Sequence, residues 1–357
     1  MIMVKRKKVV LFCEYFGNGG IEKVISYINK NIDKSKFDVK IVSIIKNTQI
    51  YNDEVESISK YKFRNPIYRF LKIIFNVRKI AQDADVIHFN IHSSIGLCYI
   101  ALFKKSKAKI IVHAHNSNFD NNIIKLKSII ASIIKKLCYK KDYKYIACSE
   151  NAGNFCFGPN VSYTILENKI NYNEFLYDEN KRAFIRKKYN IKSDEIIIGN
   201  IGRFQKQKNH KFLIDIFAEY LKINSNSKMI LIGYGKEEKN ILKQIKKRGI
   251  AEKIIIIDYC TNIDEMYHLF DFYLVPSKYE GYGITIFEAL TSSLVCLVSD
   301  NVAENFKGEE NLFSISLNNT SREWAMQLNS QVGYERKRKS SDLKNYYIEN
   351  IEKIYED

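Results

Sequence analysis

Pro276-Ser277-Lys278-Tyr279-Glu280-Gly281-Tyr282-Gly283-Ile284-Thr285-Ile286-Phe287-Glu288-Ala289-Leu290 decides how this chain folds and what it binds. Before it, the apolar run Phe272 to Val275 has the length and composition of a buried strand, and it ends at a Pro-Ser break. Two glycines then frame a tight loop, and an apolar-periodic segment containing Glu288 starts a helix. A strand, a glycine loop and a helix N-terminus make an anion site, because free backbone N–H groups and the positive end of the helix dipole face the same point. Glu280 falls in the loop and Glu288 about one turn into the helix. One carboxylate therefore stands beside the anion and the other farther along the same crevice. A carboxylate accepts hydrogen bonds from both hydroxyls of a vicinal diol, so the pair suits a sugar at one end and a ribose at the other. Two glutamates at this spacing alone would pass for solvated side chains on an ordinary strand–loop–helix. The flanking PS, EGYG and EAL favour a ligand site.

The chain around this stretch alternates strand and helix in two series. In the first half, Val9–Cys13, Val39–Ile45, Val86–Phe89, Ile110–His113 and Tyr145–Cys148 alternate with amphipathic Ile21–Ile32, Tyr68–Ala81 and Asn122–Tyr139. In the second half, Ile196–Ile201, Met229–Ile232, Ile254–Ile257, Phe272–Val275 and Val295–Val298 alternate with Phe212–Tyr220, Glu237–Lys247, Met266–Phe270 and Ile284–Thr291. Short uninterrupted apolar strands between helices predict parallel sheets covered on both faces, here two Rossmann-like domains. The polar stretch Glu167–Asn180 is the expected linker. This gives an α/β chain divided as 1–167, 168–335 and a final segment 336–357. Ligands of such sheets bind at the carboxyl ends of the strands, and every candidate residue falls just after a strand.

Gly202-Arg203-Phe204-Gln205-Lys206-Gln207-Lys208 follows the first strand of the second series, which brings Arg203 and Lys208 toward the EGYG crevice. Two fixed cations stabilise the charge that develops on a departing diphosphate. Gly233 and Gly235 form a second strand-end turn. In the first series, Gly17-Asn18-Gly19-Gly20-Ile21-Glu22 opens a helix without the spacing of a dinucleotide fingerprint. Ile111-Val112-His113-Ala114-His115-Asn116 ends another strand and offers two candidate histidines.

Taken together, these motifs resemble those of the retaining glycosyltransferases of family 4, the group 1 transferases with the GT-B fold. The likeness covers nearly the whole chain and is most specific in the second domain. It implies two Rossmann-like domains facing across a cleft, with residues 343–355 crossing back to the first. It also implies that Arg203 and Lys208 hold the pyrophosphate of a nucleotide sugar, Glu288 takes the ribose hydroxyls and Glu280 touches the hexose. The same resemblance places Gly233 and Tyr259 beside the base, and Gly281, Tyr282, Gly283, Ile284 and Thr285 in the donor loop. It puts Gly19 and Gly20 opposite the donor phosphates and His115 at the catalytic position, with His113 the alternative. Ser293, where the family usually has glycine, and Val295, where it usually has proline, are departures, as is Asn301-Val302-Ala303-Glu304 in place of a double glycine. They bring the chain closer to the capsular and exopolysaccharide branch. The implied reaction moves a hexosyl or N-acetylhexosaminyl group, most simply from a UDP-sugar, to a lipid-linked saccharide, with no cofactor and no metal. The alternatives are a nucleotide-sugar epimerase on the same scaffold and a non-catalytic basic module.

Bulk composition limits the rivals. The 357 residues are 46% hydrophobic and 13% aromatic, enough for two cores, and the 15 glycines and 3 prolines exclude fibrous classes. Seven cysteines without a C-x-x-C pair fit a reducing compartment. His88-x3-His92 and His113-x-His115 have no cysteine or carboxylate at ligand spacing, which argues against zinc. Asp83-Ala84-Asp85 precedes a strand, the wrong end of a sheet for a metal-dependent donor site. The longest apolar stretch, Ile95–Phe103, is far shorter than the roughly 20 residues of a spanning helix, and no leader is visible, so a cytoplasmic protein is expected. Of the net charge of +17, eleven lysines against two aspartates put +9 between Lys104 and Lys144, around an isoleucine-rich helical pattern. Either that helix covers the sheet with a solvated basic side, or it docks on an anionic membrane surface. No nucleic-acid-binding motif accompanies the charge.

Overall fold

The computed structural model describes residues 5–17, 19–46, 55–57, 75, 79, 82–100, 103, 106–118, 124–258, 260, 262–337 and 346–357. They form two compact units, residues 1–170 with 344–357 and residues 171–343. The expected helix at 68–81 and Tyr259 lie outside the described residues.

The first unit is built on a parallel sheet of β1 (Lys7–Phe16), β2 (Phe37–Lys46), β3 (Val55–Ser57), β4 (Val86–Ile91), β5 (Lys109–Ala114), β6 (Lys144–Ala147) and β7 (Thr164–Ile165), in the order β3-β2-β1-β4-β5-β6-β7. Helix Gly20–Asn31 buries Ile21, Val24, Ile25 and Ile28, the spacing of one helical face. All six residues of β4 are buried, including His88 and Asn90. Asp85, at the entry to β4, accepts the Lys8 N–H at 2.8 Å, so the D-x-D pair closes the end of the sheet opposite the strand termini. Helix Tyr346–Glu356 packs here. Its last carbonyls take Lys7 Nζ (3.1 Å to Tyr355, 2.7 Å to Glu356) and Lys109 Nζ (2.6 Å to Ile354), cations at the negative end of the helix dipole. Tyr355 is buried edge-on against Phe37, with centroids 5.7 Å apart.

Helix Ile124–Cys138 departs from the simple covering helix. Ala131 and Ile134 are buried, but Ile129, Ile130, Ile133 and Leu137 are 59%, 40%, 52% and 70% exposed. Two turns of its apolar pattern face water, not the sheet.

The second unit carries β8 (Ile196–Ile201), β9 (Ser227–Ile232), β10 (Ile254–Ile257), β11 (Phe272–Val275), β12 (Val295–Ser299) and β13 (Leu312–Ile315), parallel in the order β10-β9-β8-β11-β12-β13. Leu213, Phe217 and Tyr220 of helix His210–Ile223 meet Trp324 and Leu328 of helix Ser321–Asn329 over this sheet. The latter helix, absent from the sequence reading, starts at a capping box between Thr320 and Glu323. The stretch expected to be linker instead holds helices Tyr172–Phe175 and Glu179–Lys188. The second of these is fixed by Arg182 and Arg186 on Asp271, whose other bond accepts the Ile197 N–H at 2.7 Å. The crossing segment starts later than residue 336. Arg336, half-buried, lies in the second unit over the Tyr177 ring at 4.0 Å and donates to the carbonyls of Tyr267 (3.1 Å) and Phe270 (2.9 Å). Burial pushes its guanidinium down to about 9.

In each sheet the strand order reverses once, between β1 and β4 and between β8 and β11. Loops leaving adjacent strands at such a point diverge to opposite faces and leave a crevice between them.

Candidate active site

In the second unit, the crevice at the β8/β11 reversal is lined by the two stretches singled out above. Gly199 lets β8 approach closely, since a Cβ there would lie 2.2 Å from the Phe270 ring. Asn200 Nδ2 donates to the Leu274 carbonyl at 2.7 Å and so ties β8 to β11. Beyond the strands, the Lys278 N–H donates to the Gln207 carbonyl at 2.8 Å, and Gln207 Nε2 donates to the Tyr279 carbonyl at 2.8 Å. Lys208 Nζ then pairs with Glu280 Oε1 at 2.7 Å, with side chains 19% and 7% exposed. A charge-assisted bond this well shielded orients both groups. Gln207 was quoted in the motif without a role. Only the fold shows it as the clasp between the loops, because a glutamine in a basic loop carries no pattern of its own.

Gly283, with φ +93°, turns the chain into helix Ile284–Thr291 in a left-handed conformation that other residues adopt at a cost. Tyr282 is buried against Phe287 and Phe306, so the donor loop is anchored by its aromatic side chain. Glu288 is buried on the same helix and accepts the Tyr267 hydroxyl at 2.6 Å. Burial and the Glu288 carboxylate hold the Tyr267 hydroxyl well above its usual range, so it stays a donor. Tyr267 is a second residue the sequence did not single out. Arg336, by donating to the Tyr267 carbonyl, fixes the helix that presents this side chain.

Gly233 has φ +150°, and a Cβ on it would sit 2.0 Å from the Gly202 carbonyl oxygen. Its role is to let the β9 turn close on the loop that carries Arg203. Arg203 itself is exposed. Ser293 stands at φ +57° just after the helix, which accounts for the usual glycine at this position, and Val295 opens β12, a place that tolerates proline.

In the first unit, Gly19 caps and Gly20 begins helix Gly20–Asn31 at the end of β1. Glu22 is buried and accepts the Gly17 N–H at 3.1 Å, which fastens the loop from inside. His88, His113 and His115 form a buried row across β4 and β5. Tyr355 Oη lies 2.7 Å from His88 Nδ1, His88 Nε2 lies 3.2 Å from His113 Nδ1, and the His113 and His115 rings are 4.0 Å apart. Burial holds all three well below the usual imidazole range, His88 at about 3. They are neutral hydrogen-bonding groups. Of the two candidates, His115 stands beyond the end of β5 and His113 within it. Among the described residues no cluster of histidine, cysteine, aspartate and glutamate could hold a metal ion, and no helix is long and apolar enough to cross a membrane.

Comparison with known proteins agrees with this geometry. The model for glycosyl transferases group 1 matches residues 181–310, and that for glycosyltransferase family 4 matches residues 18–155. The chain is 24% identical over 315 residues to EpsF of Bacillus subtilis (84% of this chain, 80% of EpsF). It is 23% identical over 342 residues to the amylovoran biosynthesis glycosyltransferase AmsD of Erwinia amylovora (94% and 92%). It is also 23% identical over 318 residues to a Campylobacter jejuni N-acetylgalactosaminyltransferase named for a diphospho-undecaprenol acceptor (83% and 81%). Among solved structures, Anabaena HepE in complex with UDP and glucose superposes with a TM-score of 0.76 at 16% identity (91% and 89%), and the lipopolysaccharide glycosyltransferase WaaG with 0.71 at 14% (97% and 95%). With one model on each Rossmann-like unit and GT-B neighbours spanning both, the chain belongs to the group 1, family 4 glycosyltransferases.

Proposed function

We propose that this glycosyltransferase transfers a hexosyl or N-acetylhexosaminyl group from a UDP-sugar to a lipid-linked saccharide, with retention and without a metal ion, in surface polysaccharide assembly. The observation that carries this is the clasped pair of loops at the β8/β11 reversal, with Lys208 seated on buried Glu280 at 2.7 Å. Arg203, Lys208 and the N-terminus of the helix opened by Gly283 supply positive potential for a diphosphate. Glu288, held by Tyr267, takes the ribose diol, and Glu280 the hexose. Gly281, Ile284 and Thr285 line the donor loop through their backbone, Gly19 and Gly20 serve the phosphates, and His115 contacts the sugar. The acceptor oxygen forms its bond to the anomeric carbon on the face that the phosphate leaves, and a phosphate oxygen takes the acceptor proton. UDP in the HepE complex and the lipid-linked acceptor in the name of the Campylobacter relative support the choice of donor and acceptor.

Incubation with a panel of nucleotide sugars, following UDP release and the anomeric configuration of the product, tests the assignment. Turnover from one UDP-sugar, an axial product from an axial donor and full activity in EDTA are expected. No release from any nucleotide sugar, or activity lost in chelator and restored by Mn2+, would overturn it.

We also propose that the protein works at the inner face of the cell membrane, a reading supported by helix Ile124–Cys138. Its exposed Ile129, Ile133 and Leu137 lie beside Lys136, Lys140 and Lys141, apolar groups to enter the headgroup boundary and cations to draw it there. Lys135 is excluded from that set, since its ammonium donates to the Phe155 carbonyl at 2.6 Å. Binding to anionic vesicles that weakens on Lys136→Gln/Lys140→Gln/Lys141→Gln substitution is expected. Equal partition onto neutral vesicles would remove the electrostatic part.

A further inference from the structure

Asn90 settles which nitrogen of His115 carries the proton. Its amide Nδ2 points to two carbonyls, those of Phe12 at 3.4 Å and His88 at 3.3 Å, which can only accept. The amide oxygen is therefore the atom that faces His115 Nε2, at 2.9 Å. An amide oxygen has no proton to give, so Nε2 must be the N–H and Asn90 the acceptor. A neutral imidazole protonated at Nε2 leaves Nδ1 as a bare lone pair. That atom is buried and has no hydrogen-bond partner among the described residues. Burial first, and then the neighbouring imidazoles of His88 and His92, keep the ring from taking a second proton. Leaving an acceptor buried and unsatisfied is costly, so a ligand that donates to it recovers that energy.

We propose that Asn90 is a positioning residue that locks His115 in the Nε2–H tautomer, so that the Nδ1 lone pair accepts a hydrogen bond from a hydroxyl of the bound saccharide. This rests on the transferase reading above. It makes the histidine selective as well as oriented, because an acceptor-only nitrogen welcomes a hydroxyl or amide N–H and repels a carboxylate. The groups facing the ring are His113 at 4.0 Å between centroids, Asn90, and, electrostatically, His88 and His92. None is an anion, so among the described residues no carboxylate draws a proton to Nδ1.

The test is 15N–1H correlation of the histidine rings in the full-length protein at neutral pH, with His115→Gln used to assign the signal. A protonated Nε2 and a bare Nδ1 are expected for His115. Asn90→Leu should give mixed tautomers, and Asn90→Asp should give an imidazolium, because a carboxylate in that place favours the charged ring. Where Asn90→Leu does not fold, Asn90→Asp, which keeps an acceptor at the same distance, still decides. On the UDP-sugar turned over by the wild type, Asn90→Asp should lower kcat at least tenfold with little change in UDP affinity. A protonated Nδ1 in the wild type, or a spectrum untouched by either substitution, would overturn the proposal. Failure of every UDP-sugar to react would count against the transferase reading and leave the tautomer result standing.

Discussion

The two strand-end clusters do their binding by opposite means. At the β8/β11 reversal the polar groups are ionised and neutralise each other, Lys208 against Glu280, with Gln207 and main-chain bonds fixing the geometry. At the ends of β4 and β5 the polar groups are histidines and an asparagine kept neutral by burial. The first arrangement suits a multiply charged diphosphate. The second suits hydroxyls, where a fixed charge would be costly to desolvate and poor at discriminating. Glycosyl transfer from a nucleotide sugar needs both, and the chain keeps them on separate sheets.

This contrast can be broken at several points. The largest effect is expected from Glu280→Ala, which removes the proposed hexose contact and leaves the largely shielded Lys208 without its counter-charge. Turnover of the UDP-sugar should fall more than a hundredfold, and because unpairing a buried charge costs about 2–5 kcal/mol the melting temperature should fall as well. A variant that keeps wild-type turnover would detach the carboxylate from the chemistry. Next, Arg203→Ala should weaken UDP binding more than tenfold in calorimetry while leaving the melting temperature unchanged, because Arg203 is exposed. Loss of stability without loss of affinity would reverse its assignment. Tyr267→Phe should cost about 1.5–3 kcal/mol, the range for a hydrogen bond to a charged group. It should also narrow the preference for UDP over 2′-deoxy-UDP, measured by competition, if Tyr267 steers Glu288 toward the ribose.

How much of this was legible in sequence follows the same division. The charged loops announce themselves, since PSKYEGYG and GRFQKQK combine special residues at short range. Most strands were visible as apolar runs. The short edge strands β3, β7 and β13 were missed because two to four residues carry no periodicity. Helix Glu179–Lys188 is hidden by its composition, polar except for Ala183, Phe184 and Ile185 and held by arginine–aspartate contacts with a residue far along the chain. Tyr267 and Asn90 were invisible for a related reason. Each acts on a residue from another element, and only the parallel register, Asn90 beside His113, brings the partners together.

The smallest expected effect concerns the neutral cluster. His88 is held near pKa 3 by burial, against about 6.5 in the unfolded chain. Between these values the unfolded state binds the extra proton, so His88 stabilises the fold above about pH 6.5 and that contribution drains away as pH falls toward 3. The slope is at most about 1.4 kcal/mol per pH unit. Chemical denaturation at a series of pH values should show the wild type losing stability on acidification more steeply than His88→Gln. Parallel curves would mean that the ring is charged or exposed in the native state.

The seat of Tyr355 has a consequence for how the molecule is made. The first unit is discontinuous in the chain: its sheet is encoded before residue 170, yet Tyr355, which covers Phe37 and reaches His88, comes from the last helix. On the ribosome, the early sheet must wait, one side open, until translation has passed through the whole second unit. A stop codon ahead of Tyr355 would therefore strip the earlier sheet of this cover and leave every residue of the second unit, 171–343, in place.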